Sequence, residues 1–202
     1  MGTEQGRPWK IYLISPEGGT PKELVPQDRQ EADATWSPDG KQIAFGRPSS
    51  GMDLGELEIQ VFDFATHQSS IVPGSRGMFS PRWSPDGFHM AALTSDSKKL
   101  MLFDFRTGQW SDWLRVDDGT IGYPLWSKDG KSIYMERFLA AEPSMHKLRL
   151  GATRSEQFLS WDDLNRFSGV WGSWSGVAPD GSVLAVRDAS SHEIYALDLQ
   201  LP

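Results

Sequence analysis

Short apolar stretches separated by polar, turn-forming clusters recur along the whole chain. Met90-Ala91-Ala92-Leu93 is followed by the polar run 94–99 and then by Leu100-Met101-Leu102-Phe103-Asp104-Phe105. Apolar runs of this length, bounded by Gly, Pro, Asp and Ser, read as β-strands rather than as helices. Ahead of them, Ser84-Pro85-Asp86-Gly87 is a β-turn: Pro presets φ at the second position, Asp suits the third, and Gly tolerates the exit. The pattern predicts a first strand over 79–83, a second over 90–93 and a third over 100–105. A hairpin turn, Arg106-Thr107-Gly108, then leads to a fourth, more amphipathic strand over 109–114. Equivalent second strands fall at 43–45, 133–135 and 183–186, third strands at 59–64, 146–150 and 194–199, and weaker fourth strands at 69–72 and 156–159. No segment has convincing helical periodicity, although 161–167 has room for a single turn.

The turn is repeated. It occurs as Trp36-Ser37-Pro38-Asp39-Gly40, Trp83-Ser84-Pro85-Asp86-Gly87, Trp126-Ser127-Lys128-Asp129-Gly130 and Val177-Ala178-Pro179-Asp180-Gly181, in steps of 47, 43 and 51 residues. A period in the forties with four strands per unit is the signature of a β-propeller. The expected fold is all-β: four-stranded antiparallel blades, three complete and one partial at each end. The boundaries are a tail over 1–8 and a propeller over 9–202, with blades near 9–26 (partial), 32–73, 79–115, 122–160 and 171–200 (partial). Segments 10–15 and 21–25, joined by Pro16-Glu17-Gly18-Gly19, read as third and fourth strands with nothing before them. The last repeat stops after its third strand. Joining the ends supplies two third strands and one fourth, so the expectation is a part of a larger propeller or a ring completed by another chain. Self-association is one route to that completion, because unpaired edges are a liability.

Composition narrows the function. The chain carries 20 Lys and Arg against 27 Asp and Glu, a formal net charge of −7, with no long basic run. This argues against direct nucleic-acid contact, which rests on phosphate neutralisation. No apolar run is long enough to span a bilayer. There are no cysteines, so neither disulfides nor thiolate chemistry is at hand, and this fits either a reducing or an oxidising compartment. The first residues, Met1 to Pro8, lack the apolar core of a signal peptide.

The unit Trp-Ser-Pro-Asp-Gly, a strand, then a Tyr-Leu or Phe-Asp strand with a Gly-Gly or Thr-Gly turn, resembles the TolB-like (WD40-like) bacterial propeller repeats. The resemblance covers about 9–200. It loosens where Lys128 replaces Pro and where Val177 and Ala178 replace Trp-Ser. Such repeats are found in periplasmic TolB, in propeller domains of prolyl-oligopeptidase-like enzymes, and in the C-terminal sensory halves of bacterial winged-helix regulators. The stretches 8–13 and 193–198 look most like the last group. The resemblance implies a non-catalytic module that recognises a protein or peptide, without cofactor, as the sensory or scaffolding part of a larger bacterial protein such as a transcriptional regulator. The alternatives are the propeller half of a hydrolase or lyase, or a purely structural self-assembling piece. It also implies a periplasmic location, or a cytoplasmic one if the parent is a soluble regulator.

Few residues suggest chemistry. Asp39, Asp86, Asp129 and Asp180 are explained by their turns, since Asp between Pro and Gly is what a tight turn selects. Trp36, Trp83 and Trp126 are expected as inter-blade core, one large apolar face per blade. His67, His89, His146 and His192 lack metal-ligand spacing. Gly172-Ser173-Trp174-Ser175-Gly176 has Trp where a nucleophile elbow needs Ser, and no helix follows. Asp117-Asp118 and Asp162-Asp163 read as solvated loop residues. The Gly-bearing stretch 49–56 lacks the Lys and helix of a phosphate loop. No catalytic residue is identified. The loops leading into each first strand mix charge with aromatic rings, which suits a protein or peptide surface, and ordinary loop composition is the equal alternative. The candidate binding residues are Glu31, Asp33, Arg76, Phe79, Arg82, Tyr123, Arg166, Trp171 and Trp174.

Overall fold

The computed structural model describes residues 8–26, 30–47, 57–169, 173–178 and 180–190. A two-stranded N-terminal piece, β1 (Tyr12–Leu13) and β2 (Lys22–Glu23), precedes three full blades. The first blade comprises β3 (Ala32–Trp36), β4 (Gln42–Arg47), β5 (Glu58–Asp63) and β6 (Gln68–Ile71). The second comprises β7 (Met78–Trp83), β8 (His89–Thr94), β9 (Lys99–Asp104) and β10 (Gln109–Arg115). The third comprises β11 (Thr120–Trp126), β12 (Ser132–Phe138), β13 (Ser144–Arg149) and β14 (Glu156–Ser160). A final pair, β15 (Ser175–Val177) and β16 (Val183–Ala185), begins the next blade. Each full blade is an antiparallel meander in chain order. Among the described residues there is no helix. The turn expected within 161–167 is a single one, closed by the Leu164 amide on the Trp161 carbonyl at 3.0 Å. The predicted third strand at 194–199 lies outside the described residues.

The first strands of successive blades lie side by side: β3 touches β7, β7 touches β11, and β11 touches β15. Between the sheets sits the core. The second strands make it possible, because their side chains alternate across two faces. On β8, Met90 and Ala92 join Ile59, Val72 and Met78 in one cluster, while Ala91 and Leu93 join Ile121, Ile133 and Leu148 in the next. A third cluster holds the N-terminal piece, where Ile11, Leu24 and Val25 pack on Ile43, Phe45 and Phe62. On β10 a register shift between Asp112 and Leu114 lets the adjacent Trp113 and Leu114 both be buried.

The repeated turn is held the same way in the three full blades. Ser84 Oγ donates to Asp86 Oδ1 at 2.5 Å, the Phe88 amide donates to the same carboxylate at 2.9 Å, and the His89 amide donates to Ser84 Oγ at 3.0 Å. Ser37 with Asp39, and Ser127 with Asp129, repeat the arrangement. The turn glycine has positive φ, 77° at Gly87, where a side chain would be strained. These bonds account for Asp39, Asp86 and Asp129 as turn residues, and in the fourth copy the Ser182 amide donates to Asp180 Oδ1 at 2.9 Å. The tryptophans divide. Trp126 is buried, stacks on Trp113 of the preceding blade at 5.4 Å and donates to the Arg82 carbonyl at 2.9 Å. Trp83 is half-buried on Phe105. Trp36 is 53% exposed and stacks on Phe64 of its own blade; among the described residues, the N-terminal piece before it has two strands rather than a full blade.

Candidate recognition surface on the first strands

Three first strands carry the same irregularity. The register slips between Ala32 and Thr35 on β3, between Phe79 and Arg82 on β7, and between Gly122 and Leu125 on β11. At each slip a non-glycine residue takes positive φ: Asp33 at 54°, Ser80 at 54° and Tyr123 at 46°. Each stands three residues before the repeat tryptophan. Left-handed backbone is costly for L-residues, and bulges re-aim side chains near functional sites.

The bulges bring polar groups from neighbouring blades together. Arg82 on β7 lies 3.8 Å from the carboxylate of Asp33 on β3 and donates to the Pro81 carbonyl at 2.8 Å. Burial lowers the Arg82 pKa below its ordinary value, and the Asp33 charge opposes that shift. Asp33 keeps 42% of its side chain exposed. The Tyr123 phenol is pushed above its ordinary pKa by burial first, then by the charges of Glu136 and Asp33, with Arg166 opposing. It is therefore a neutral donor at pH 7. Its ring meets Phe138 edge-on at 5.5 Å.

Beneath this rim is a buried ion pair. Glu136 is fully buried on β12, and Arg166 reaches it from the loop after β14 with both terminal nitrogens. Ser175 Oγ donates to the same carboxylate at 2.5 Å. Arg166 also donates to the carbonyls of Ser173 and Trp174, both at 3.1 Å, and its guanidinium lies 4.2 Å from the Trp161 ring centre. The segment around Arg166 pairs with the extension of β16, through a bridge between Arg166 and Arg187. The pair thus ties the last full blade to the next one.

Of the sequence candidates, Asp33 pairs with Arg82, and the charges of Asp33 and Arg166 both act on Tyr123. Trp174 adds a carbonyl to the clamp and keeps its side chain half exposed beside Gly176. Glu31 is fully buried and engaged by Lys10 at 3.1 Å, which also reaches Glu23 at 2.9 Å. Burial pulls Lys10 down, but the hydrogen bonds it donates to Glu23 and Glu31 leave its pKa raised. Phe79 packs against the core, Arg76 is exposed in the turn before β7, and Trp171 lies outside the described residues. Sequence reasoning missed Ser80, Glu136 and Ser175. Glu136 had a usable signal: it holds the strand register of Gly46 and Leu93, an acid at a core position of a second strand.

No protein-family model matches the chain. It is 27% identical over 140 residues to dipeptidyl-peptidase 5 of Porphyromonas gingivalis, covering 62% of this chain and 20% of that protein. It is 27% identical over 107 residues to the uncharacterised peptidase YuxL of Bacillus subtilis, covering 50% of this chain and 16% of that one. A third relative is the Tol-Pal system protein TolB of Alcanivorax borkumensis, 30% identical over 89 residues, 44% of this chain and 20% of that protein. Among solved structures, TolB of Acinetobacter baumannii superposes with a TM-score of 0.67 at 19% identity, over 90% of this chain and 44% of that one. The fold is a TolB-like β-propeller. An oligogalacturonate lyase solved with manganese also superposes, at a TM-score of 0.54 and 16% identity, over 76% of this chain and 47% of that one. The chain spans about a fifth of the length of the curated relatives it matches. The expectation of a protein without enzymatic activity is corrected by these findings, since two relatives are named as peptidases and a fold neighbour as a lyase. The error had a physical source: repeats report scaffold, and scaffold residues say nothing about chemistry carried elsewhere in a parent protein. Among the described residues, no helix is long and apolar enough to cross a membrane.

Proposed function

We propose that this chain is the propeller portion of a larger peptide-hydrolysing enzyme, forming one unit over 9–202, and that its first-strand rim holds the peptide. The observation that carries the reading is the cluster of Asp33, Arg82 and Tyr123, placed by bulges on adjacent first strands and drawn from two neighbouring inter-blade seams. An exposed carboxylate, a guanidinium and a neutral phenol offer acceptor and donors for a peptide backbone or terminus. The names of the two peptidase relatives support the enzymatic context. None of the relatives named above is a regulator, so the winged-helix context gives way to this one. Likeness to TolB supports a location outside the cytoplasm.

The test is steady-state kinetics on the full-length parent with fluorogenic peptides. Arg82→Gln and Tyr123→Phe are expected to raise KM several-fold while kcat holds, the mark of lost ground-state binding. A parent that cleaves no peptide removes the enzymatic reading. Cleavage with unchanged KM in both variants removes the rim as the contact surface.

A further inference from the structure

At two blade seams the repeat turn is packed by the same pair of groups. The turn proline of one blade lies against the turn glycine of the next: a Cβ on Gly87 would sit 3.2 Å from Pro38, and one on Gly130 would sit 3.7 Å from Pro85. The repeat tryptophan of the later blade completes the seam, as Trp126 does by donating to the carbonyl of Arg82. At the third seam both fillers are gone. Lys128 stands in place of the proline and Val177 in place of the tryptophan, while Ala178 replaces serine. A Cβ on Gly181 would meet nothing within 4 Å.

The space left is a cleft of about 360 Å³, bordered by Leu125, Trp126, Lys128, Tyr134, Val177 and Gly181. That volume lies within the range of small-molecule sites. Its walls are mainly apolar and are drawn from Leu125, Tyr134 and Val177 among others. The cationic residue on its lining is Lys128, exposed at the turn. Leu125 occupies the register of Arg82, whose carbonyl receives the indole at the previous seam, so the cleft corresponds to the position that an indole fills there. We propose that this cleft is a binding site for a small aromatic carboxylate, with a flat ring between Leu125 and Val177 and the acid facing Lys128. Ring size follows from the missing indole, and the acid from the lysine that replaces the proline. This site is separate from the first-strand rim and stands or falls without it.

Protein-observed 1H–15N spectra of the purified chain, titrated with indole-3-acetate, test the assignment. Saturable shifts are expected at the amides of Lys128, Ala178 and Gly181. Val177→Trp, which restores the repeat's own filler, is expected to abolish them. Lys128→Gln is expected to weaken indole-3-acetate by ~3-fold, the size of an exposed ion pair, and to leave uncharged indole unaffected. Because Lys128 is exposed, that variant keeps the measurement informative even if Val177→Trp fails to fold. Absence of shifts at 5 mM probe, a scale chosen at roughly the weak limit of measurable affinity, overturns the site. So does unchanged binding in a folded Val177→Trp protein, or equal weakening of indole and indole-3-acetate by Lys128→Gln.

Discussion

The hairpin between third and fourth strands shows how much one backbone angle demands of one residue. In the second blade that position is Gly108, with φ at 68°, and in the first blade it is His67, with φ at 54°. A left-handed histidine costs about 1 kcal/mol, offset in part by the greater chain entropy glycine gives up on folding. His67→Gly is therefore expected to stabilise the protein by about 0.5 kcal/mol, read as a higher midpoint in urea; a lower midpoint would mean that the edge contact of His67 with Phe62 outweighs the strain. The turn carboxylates make a second residue-scale case. Asp39 and Asp129 are held below the usual carboxylate range, first by the Ser37 and Ser127 hydroxyls and then by the Lys41 and Lys131 amides. A depressed folded pKa gives stability that is present above the unfolded value, near ~4, and is lost as pH falls through the folded values. Thermal midpoints are expected to drop below about pH 4, and the double variant Asp39→Asn with Asp129→Asn is expected to drop less steeply. Parallel curves for the two proteins would show that other carboxylates control acid unfolding.

Among elements, β12 is the one that departs from its siblings. Where β4 has Gly46 and β8 has Leu93, β12 buries Glu136 and so requires Arg166 and Ser175. Removing one partner of a buried pair strands the other charge, a cost of about 3–5 kcal/mol, whereas replacing both with apolar groups is often neutral. Glu136→Leu is expected to unfold the C-terminal piece first, seen as early loss of amide protection in β15 and β16. Glu136→Leu with Arg166→Met is expected to restore it, and failure of the double variant to recover would show that Arg166 matters through its carbonyl contacts to Ser173 and Trp174. Strand identity at this scale was legible: 79–83, 90–93, 100–105 and 109–114 each fall within a residue or two of the observed strands β7 to β10. The bulges were not legible, because a slip of register leaves the order of apolar residues unchanged and only moves where they point.

For the molecule as a whole, stability is expected to grade along the chain, because each blade is buttressed only by its neighbours. The second blade has both faces of β8 buried, one in each flanking cluster, while β1 and β2 form a two-stranded sheet with mostly exposed residues. Hydrogen exchange is expected to be slowest in β8 and β9 and fastest in β1 and β2; equal rates across the chain would mean the blades open as one unit. The sequence by itself determined the blade grammar, because a turn of Ser, Pro, Asp and Gly between apolar runs has one local solution, and repeating it fixes a period. It also determined that the aspartates belong to turns. Only the tertiary structure decided which repeat residues are buried: Trp126 stacks on Trp113 of a full preceding blade, while Trp36 follows a two-stranded piece and stays half exposed. It also decided that Arg82 comes within 3.8 Å of Asp33, that the Asp33 charge reaches Tyr123, and that Lys128 and Val177 face a common cleft. These are relations between blades, and they depend on how sheets stack rather than on what any one strand contains.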